Sequence, residues 1–205
     1  MNKLQIETIT NGKWRQNCYL LINSDLSTIV IDPGSDAEKI TNRILELGLN
    51  LVAILNTHGH YDHIGAVANL KEMFNIPFYL NSLDEKLVRQ ANLYRIIFDS
   101  IEFIKIPTVD IYLSSSNEEI VIAPFKINTI FTPGHTEGGT CFLVNGYLFS
   151  GDTLLGSGPG RYDLPGGDYQ KLNKSYANLM LLDPKCLVYP GHGKPFLLKD
   201  SWLYA

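Results

Sequence analysis

All five histidines of this 205-residue chain lie in loops just past short apolar runs, so its fold must bring those strand ends together. His58, His60 and His63 occupy Thr57-His58-Gly59-His60-Tyr61-Asp62-His63, directly after the apolar run 51–55. His135 follows a strand-like stretch ending at Phe131, and His192 follows the run 186–189. Asp152 follows the run that ends at Ser150. Glycines 59, 134, 151, 191 and 193 flank these positions and permit tight turns. A scaffold that sends four strand ends to one edge collects five imidazoles and the carboxylates of Asp62 and Asp152 there. That donor set is enough for two divalent ions.

Hydrophobic periodicity predicts strands and helices in alternation. Residues 18–22 and 28–31 read as a hairpin of buried strands around Asn23-Ser24-Asp25, closed by Asp32-Pro33-Gly34. Ile40, Ile44, Leu45 and Leu47 predict a helix over 37–47 that stops at Gly48. The run 51–55 reads as an inner strand, 64–74 as a helix and 77–80 as a short strand. Across 82–106, Leu83, Leu87, Leu93, Ile96, Ile97 and Ile101 predict one or two covering helices. For Tyr94, Phe98 and Phe103 helical spacing makes core packing the default, with the lining of a cleft as the alternative. Strands return at 120–122, 126–131, 140–144, 147–150 and 186–189, with a helix from 167 to 182. The hairpins at 18–31 and 141–150 echo each other, each ending in an Asp, which suggests two sheets.

Spacing divides the donors. His58 and His60 are two residues apart, so in extended chain they face the same way. With His135 they form one expected metal group; Asp62, His63 and His192 form the other, and Asp152 bridges them. A single histidine in such a turn would be explained by a hydrogen bond to backbone, and Asp62 alone by a helix N-cap. All five histidines in this pattern are not explained that way.

Composition narrows the function. The net charge of −4 and the absence of a basic run argue against nucleic acid. No stretch is long and apolar enough for a membrane span, and residues 1–7 lack the core of a signal peptide. Cys18, Cys141 and Cys186 are odd in number and sit in apolar runs, as expected of reduced thiols in a cytoplasmic protein.

His58-Gly59-His60-Tyr61-Asp62-His63, Gly134-His135-Thr136, Gly151-Asp152-Thr153 and Gly191-His192-Gly193 resemble the metallo-beta-lactamase superfamily. The resemblance runs from about Asn17 to His192. It implies an α/β fold, a four-layer αββα sandwich of two mixed sheets with outer helices and metals at the sheet edge. The stretch from Gly151 to Asp168 is similar to small bacterial glyoxalase II-like proteins. That similarity implies a hydrolase of thioesters, of the hydroxyacylglutathione (S-lactoylglutathione) type, acting through a metal-bound hydroxide. The implied cofactors are two divalent ions, zinc first, with iron or manganese as alternatives. Asp62 and Asp152 are the expected catalytic carboxylates.

Residues 1–205 are expected to form one metallo-hydrolase domain without the C-terminal helical domain that grips glutathione in full-length relatives. Those relatives also carry a basic residue and a Tyr two apart after the bridging Asp. Here Arg161 takes the basic position and Asp163 the other, with Tyr162 between them. Arg161, Tyr162 and Lys194 are therefore the candidate substrate contacts. Arg161 either holds a substrate carboxylate or bridges Asp163 or Asp168, and Lys194 either meets substrate or is solvated. Two alternatives stand beside the thioesterase: a single-iron persulfide dioxygenase, and a hydrolase of another acyl substrate.

Overall fold

A strand buried on both faces needs a layer on each side. The computed structural model describes residues 4–99 and 102–204 and places such strands in two six-stranded sheets. The first sheet has the order β1 (Gln5–Asn11), β2 (Gln16–Ile22), β3 (Ser27–Ile31), β4 (Asn50–Leu55), β5 (Phe78–Asn81) and β6 (Ile111–Leu113). The second contains β7 (Glu118–Ile122), β8 (Phe125–Phe131), β9 (Thr140–Val144) and β10 (Tyr147–Gly151), which neighbour one another in sequence order. A two-stranded ribbon of β11 (Leu154–Leu155) and β12 (Gly158–Pro159) follows. Then β13 (Leu187–Pro190) and β14 (Phe196–Leu197) extend the second sheet beyond β10.

Side-chain alternation builds the layers. Along β2, Tyr19 and Leu21 face the second sheet and pack with Phe142, Val144 and Phe149. Cys18, Leu20 and Ile22 face the other way, into a core shared with α1 (Ala37–Glu46), α2 (Tyr61–Ile64) and α3 (Val67–Phe74) through Ile40, Ile44, Ile64, Val67 and Leu70. Val88 of α4 (Glu85–Arg89) and Ala91 of α5 (Ala91–Phe98) belong to the same core. On the outer face of the second sheet, Cys141, Leu148 and Val188 pack with Leu179 of α6 (Tyr169–Leu179). The result is helix, sheet, sheet, helix. Each fully buried Leu or Ile contributes about 1.5–3 kcal/mol to it. All three cysteines are free and buried, as the sequence suggested.

Strand direction then positions the loops. The β3–β4, β4–β5 and β10–β13 pairs are parallel. β8 is two antiparallel steps from β10 and so runs in its direction. Within each sheet, strands of one direction end at one edge. The residues just past β3, β4, β8, β10 and β13 include Asp32, His58, His135, Asp152 and His192.

Several elements differ from expectation. The helix expected over 64–74 is two helices, because Gly65 and Ala66 pass against the backbone of Gly34; Ala66 N donates to Gly34 O at 2.6 Å. The helix expected over 167–182 spans only Tyr169–Leu179, with the Asp168 carboxylate accepting from Lys171 N as its cap. Ile101 lies outside the described residues. Phe103 is solvent-exposed rather than in the core; Tyr94 packs partly against the core and, with Phe98, lines a cleft, the alternative reading of these aromatics. β1 was not foreseen, although Ile6, Thr8 and Thr10 alternate in it. Among the described residues no helix is long and apolar enough to cross a membrane.

Candidate metal centre

The seven donors meet at the sheet edge. His58, His60 and His135 form one group and Asp62, His63 and His192 a second, the donor atoms of each lying within 4.8 Å of one another. Asp152 stands between them. Its Oδ2 is 3.6 Å from His135 Nε2 and 3.5 Å from His192 Nε2, and its Oδ1 is 3.7 Å from His63 Nε2. Asp62 Oδ2 is 3.3 Å from His192 Nε2. Asp62 is not a cap: it lies in the first turn of α2, and His60 holds the N-cap position.

Partners on the far side of each ring set its tautomer. His135 Nδ1 lies 2.7 Å from Arg161 O and His192 Nδ1 lies 2.9 Å from Trp14 O, so each donates there and turns the lone pair of Nε2 inward. His63 Nδ1 faces Asp32 Oδ2 at 3.1 Å. Thr57 Oγ1 donates to that same carboxylate oxygen at 2.6 Å and thereby accepts from His58 Nδ1 at 3.0 Å. His60 Nδ1 and His135 Nε2 approach to 3.0 Å. The buried atoms His58 Nε2, His60 Nε2, His63 Nε2 and Asp152 Oδ1 have no hydrogen-bond partner. Buried nitrogen and oxygen donors left without partners at this edge fit divalent cations.

The electrostatics agree. Burial, reinforced by the neighbouring imidazoles, holds His58 well below the usual range; burial and His135 hold His60 at about 3. Burial also disfavours charge on His63, but Asp62, Asp152 and Asp32 outweigh it and raise that ring to about 10. Against burial, His63 and His192 hold the Asp62 carboxyl far below its ordinary value. Likewise against burial, the hydrogen bond that His192 donates to Asp62 raises His192. The second group thus attracts positive charge, and a cation entering it must displace a proton from His63. Metal affinity of the stripped protein is therefore expected to rise with pH. Calorimetry in buffers of different ionisation enthalpy should show release of about one or two protons per chain near pH 7. Release of none would contradict this arrangement.

Two carboxylates brace the site that the sequence reading did not single out for it. Asp32, read only as a strand terminator, accepts from Thr57 N at 2.7 Å besides its bonds to Thr57 Oγ1 and His63. Asp84, fully buried, accepts from Gly59 N at 2.9 Å, Thr136 Oγ1 at 2.8 Å and Gly138 N at 2.7 Å. It ties the loop of His58, His60 and His63 to the loop of His135. A methyl group at Gly191 would collide with Asp152 Oδ1, so that close approach requires glycine.

A cleft of ≈ 310 Å³ opens above the donors, walled by Trp14, Tyr61, Tyr94, Phe98, Leu164 and Pro165 among others. Trp14 Nε1 donates to Tyr61 Oη at 2.9 Å across one wall. Of the candidate substrate contacts, Arg161 lines the cleft and is bonded to Asp163. Tyr162 does not line it; it packs on Tyr169 with ring centroids 4.9 Å apart. Lys194 is exposed and also off the lining.

Two facing sheets with imidazole and carboxylate donors gathered at their edge define a metallo-hydrolase scaffold. The chain belongs to the metallo-beta-lactamase superfamily, whose model matches residues 11–192. It is 37% identical over 193 residues to the probable metallo-hydrolase YqgX of Bacillus subtilis, covering 88% of this chain and 90% of that one. It is 32% identical to the hydroxyacylglutathione hydrolase GloC of Haemophilus influenzae, covering 93% and 91%. Among solved structures, TTHA1623 in a di-iron-bound form superposes with a TM-score of 0.87 at 34% identity, covering 96% of each chain. The BLEG-1 B3 metallo-beta-lactamase superposes at 0.89 with 31% identity, covering 96% and 95%.

Proposed function

We propose that this protein hydrolyses thioesters, converting R–CO–SR′ and water into a carboxylate, a thiol and a proton, with hydroxyacylglutathione as the reference substrate. The observation that carries the reading is a pair of complete donor groups, linked through Asp152, at the floor of an apolar cleft. The name of the Haemophilus relative supports the substrate type.

His58, His60 and His135 would hold one divalent ion, Asp62, His63 and His192 a second, and Asp152 both. Zinc suits these donors, as do iron and manganese. Bound there, such ions supply the Lewis acidity that ionises water near neutral pH and polarises a carbonyl. Asp62, kept anionic beside His63 and His192, accepts a hydrogen bond from the attacking water and orients it. Trp14, Tyr94, Phe98, Leu164 and Pro165 keep bulk water from the carbonyl. A thiol leaving group with a pKa of about 8.5 departs as thiolate without an acid beside it. That suits a site in which all five imidazoles already serve as donors. The completeness of the second donor group favours hydrolysis over single-iron persulfide dioxygenation.

Metal analysis of the purified protein together with a small thioester panel tests this. Loss of thioester absorbance with S-lactoylglutathione is expected, and oxygen uptake with glutathione persulfide is not. His60→Ala should reduce turnover to background with a native circular dichroism spectrum; retained thioesterase activity would refute the assignment of His60.

A further inference from the structure

The cleft above the donors has little with which to recognise charge. Trp14, Tyr94, Phe98, Leu155, Leu164 and Pro165 supply apolar walls. Apart from the imidazoles, Arg161 is the one cation among its lining residues. That guanidinium is already engaged. Its Nε donates to Asp163 Oδ1 and its Nη2 to Asp163 Oδ2, both at 2.9 Å, in the two-pronged geometry that would otherwise take a substrate carboxylate. The Arg161 bond in turn holds the Asp163 carboxyl below its usual range. A carboxylate approaching Arg161 meets the like charge of Asp163. A glutathione moiety, with two carboxylates and one ammonium, gains little from such walls.

We propose that the cleft selects thioesters with an uncharged, apolar group beside the scissile carbonyl, and that Asp163 enforces this by neutralising Arg161. The inference rests on the thioesterase reading and narrows its substrate class. The pair is exposed on both sides, so the screening that weakens surface ion pairs limits its effect to about two- to fivefold. Each methylene buried against the walls adds up to about fourfold.

Four thioesters test it, combining an octanoyl or lactoyl acyl group with N-acetylcysteamine or glutathione as the thiol. The metal-loaded protein should show kcat/KM at least about tenfold higher for octanoyl-N-acetylcysteamine than for lactoylglutathione, expressed in KM. Asp163→Asn should raise the ratio of glutathione to N-acetylcysteamine turnover about two- to fivefold, again in KM. Arg161→Met in the Asp163→Asn background should remove that gain. A wild-type preference for lactoylglutathione, or a ratio unmoved by Asp163→Asn, overturns the proposal. So does a loss of glutathione-thioester turnover in Arg161→Met alone.

If no thioester is turned over, the thioesterase reading falls while the cleft's preference stays measurable. Calorimetric titration with N-acetyl-S-octylcysteamine and S-octylglutathione then decides it: tighter binding of the first supports the selection, and tighter binding of the second overturns it.

Discussion

An Asp152→Asn variant is expected to lose about 10³-fold in kcat/KM for thioesters and at least one equivalent of bound metal, while keeping its fold. Its carboxylate approaches donors of both groups, at 3.5 Å from His192 Nε2, 3.6 Å from His135 Nε2 and 3.7 Å from His63 Nε2. Asparagine has the same shape but no charge, and its amide nitrogen cannot donate a lone pair. Changing a partner that merely orients a metal ligand costs about 10–100-fold, so a group facing both halves should cost more. A 10³-fold loss is about 4 kcal/mol of transition-state stabilisation. Steady-state kinetics and elemental analysis measure the two effects. A variant that keeps a tenth of its activity with full metal content would remove Asp152 from its proposed bridging place.

Asp84→Ala should destabilise the fold by about 3–5 kcal/mol, a large share of the roughly 5–15 kcal/mol that holds a domain together. Three donors, Gly59 N, Thr136 Oγ1 and Gly138 N, would lose their acceptor in a buried place. Each orphaned group costs about 1–3 kcal/mol, partly recovered where water enters. Asp84→Asn should fall between, because its carbonyl oxygen still accepts while its amide nitrogen opposes one donor. Urea unfolding of the three proteins measures this, and an alanine variant within 1 kcal/mol of wild type, on the order of measurement scatter, would contradict it. Because Asp84 joins the loops of His58 and His135, the alanine variant should also bind metal less tightly.

The seven donors were legible because imidazoles are few in this chain and each stands beyond an apolar run. Their grouping followed from the two-residue step between His58 and His60. Asp32 was visible only as the end of a strand. Its contact with Thr57 and His63 joins residues 25 and 31 positions apart, which no local pattern records. Asp84 was hidden in a stretch read as helix, yet it sits in the short turn before α4 and gathers donors from two distant loops. Tyr94 and Phe98 show why periodicity left core and cleft undecided there: an apolar face turned to an apolar cleft has the same spacing as one turned to the core. Layering was clearest where β2 is buried on both sides, and faintest at β6 and β14, which have three and two residues.

The imidazoles of the donor set are braced from different places. His58 and His63 lean on Thr57 and Asp32 in the interior. His192 instead leans on the main-chain oxygen of Trp14, at the tip joining β1 to β2, and the indole of that same residue is a wall of the cleft. Lys13 next to it is fastened to Asp99, just past α5. Within the group of Asp62, His63 and His192, one imidazole is thus propped from the interior and its neighbour from a surface turn.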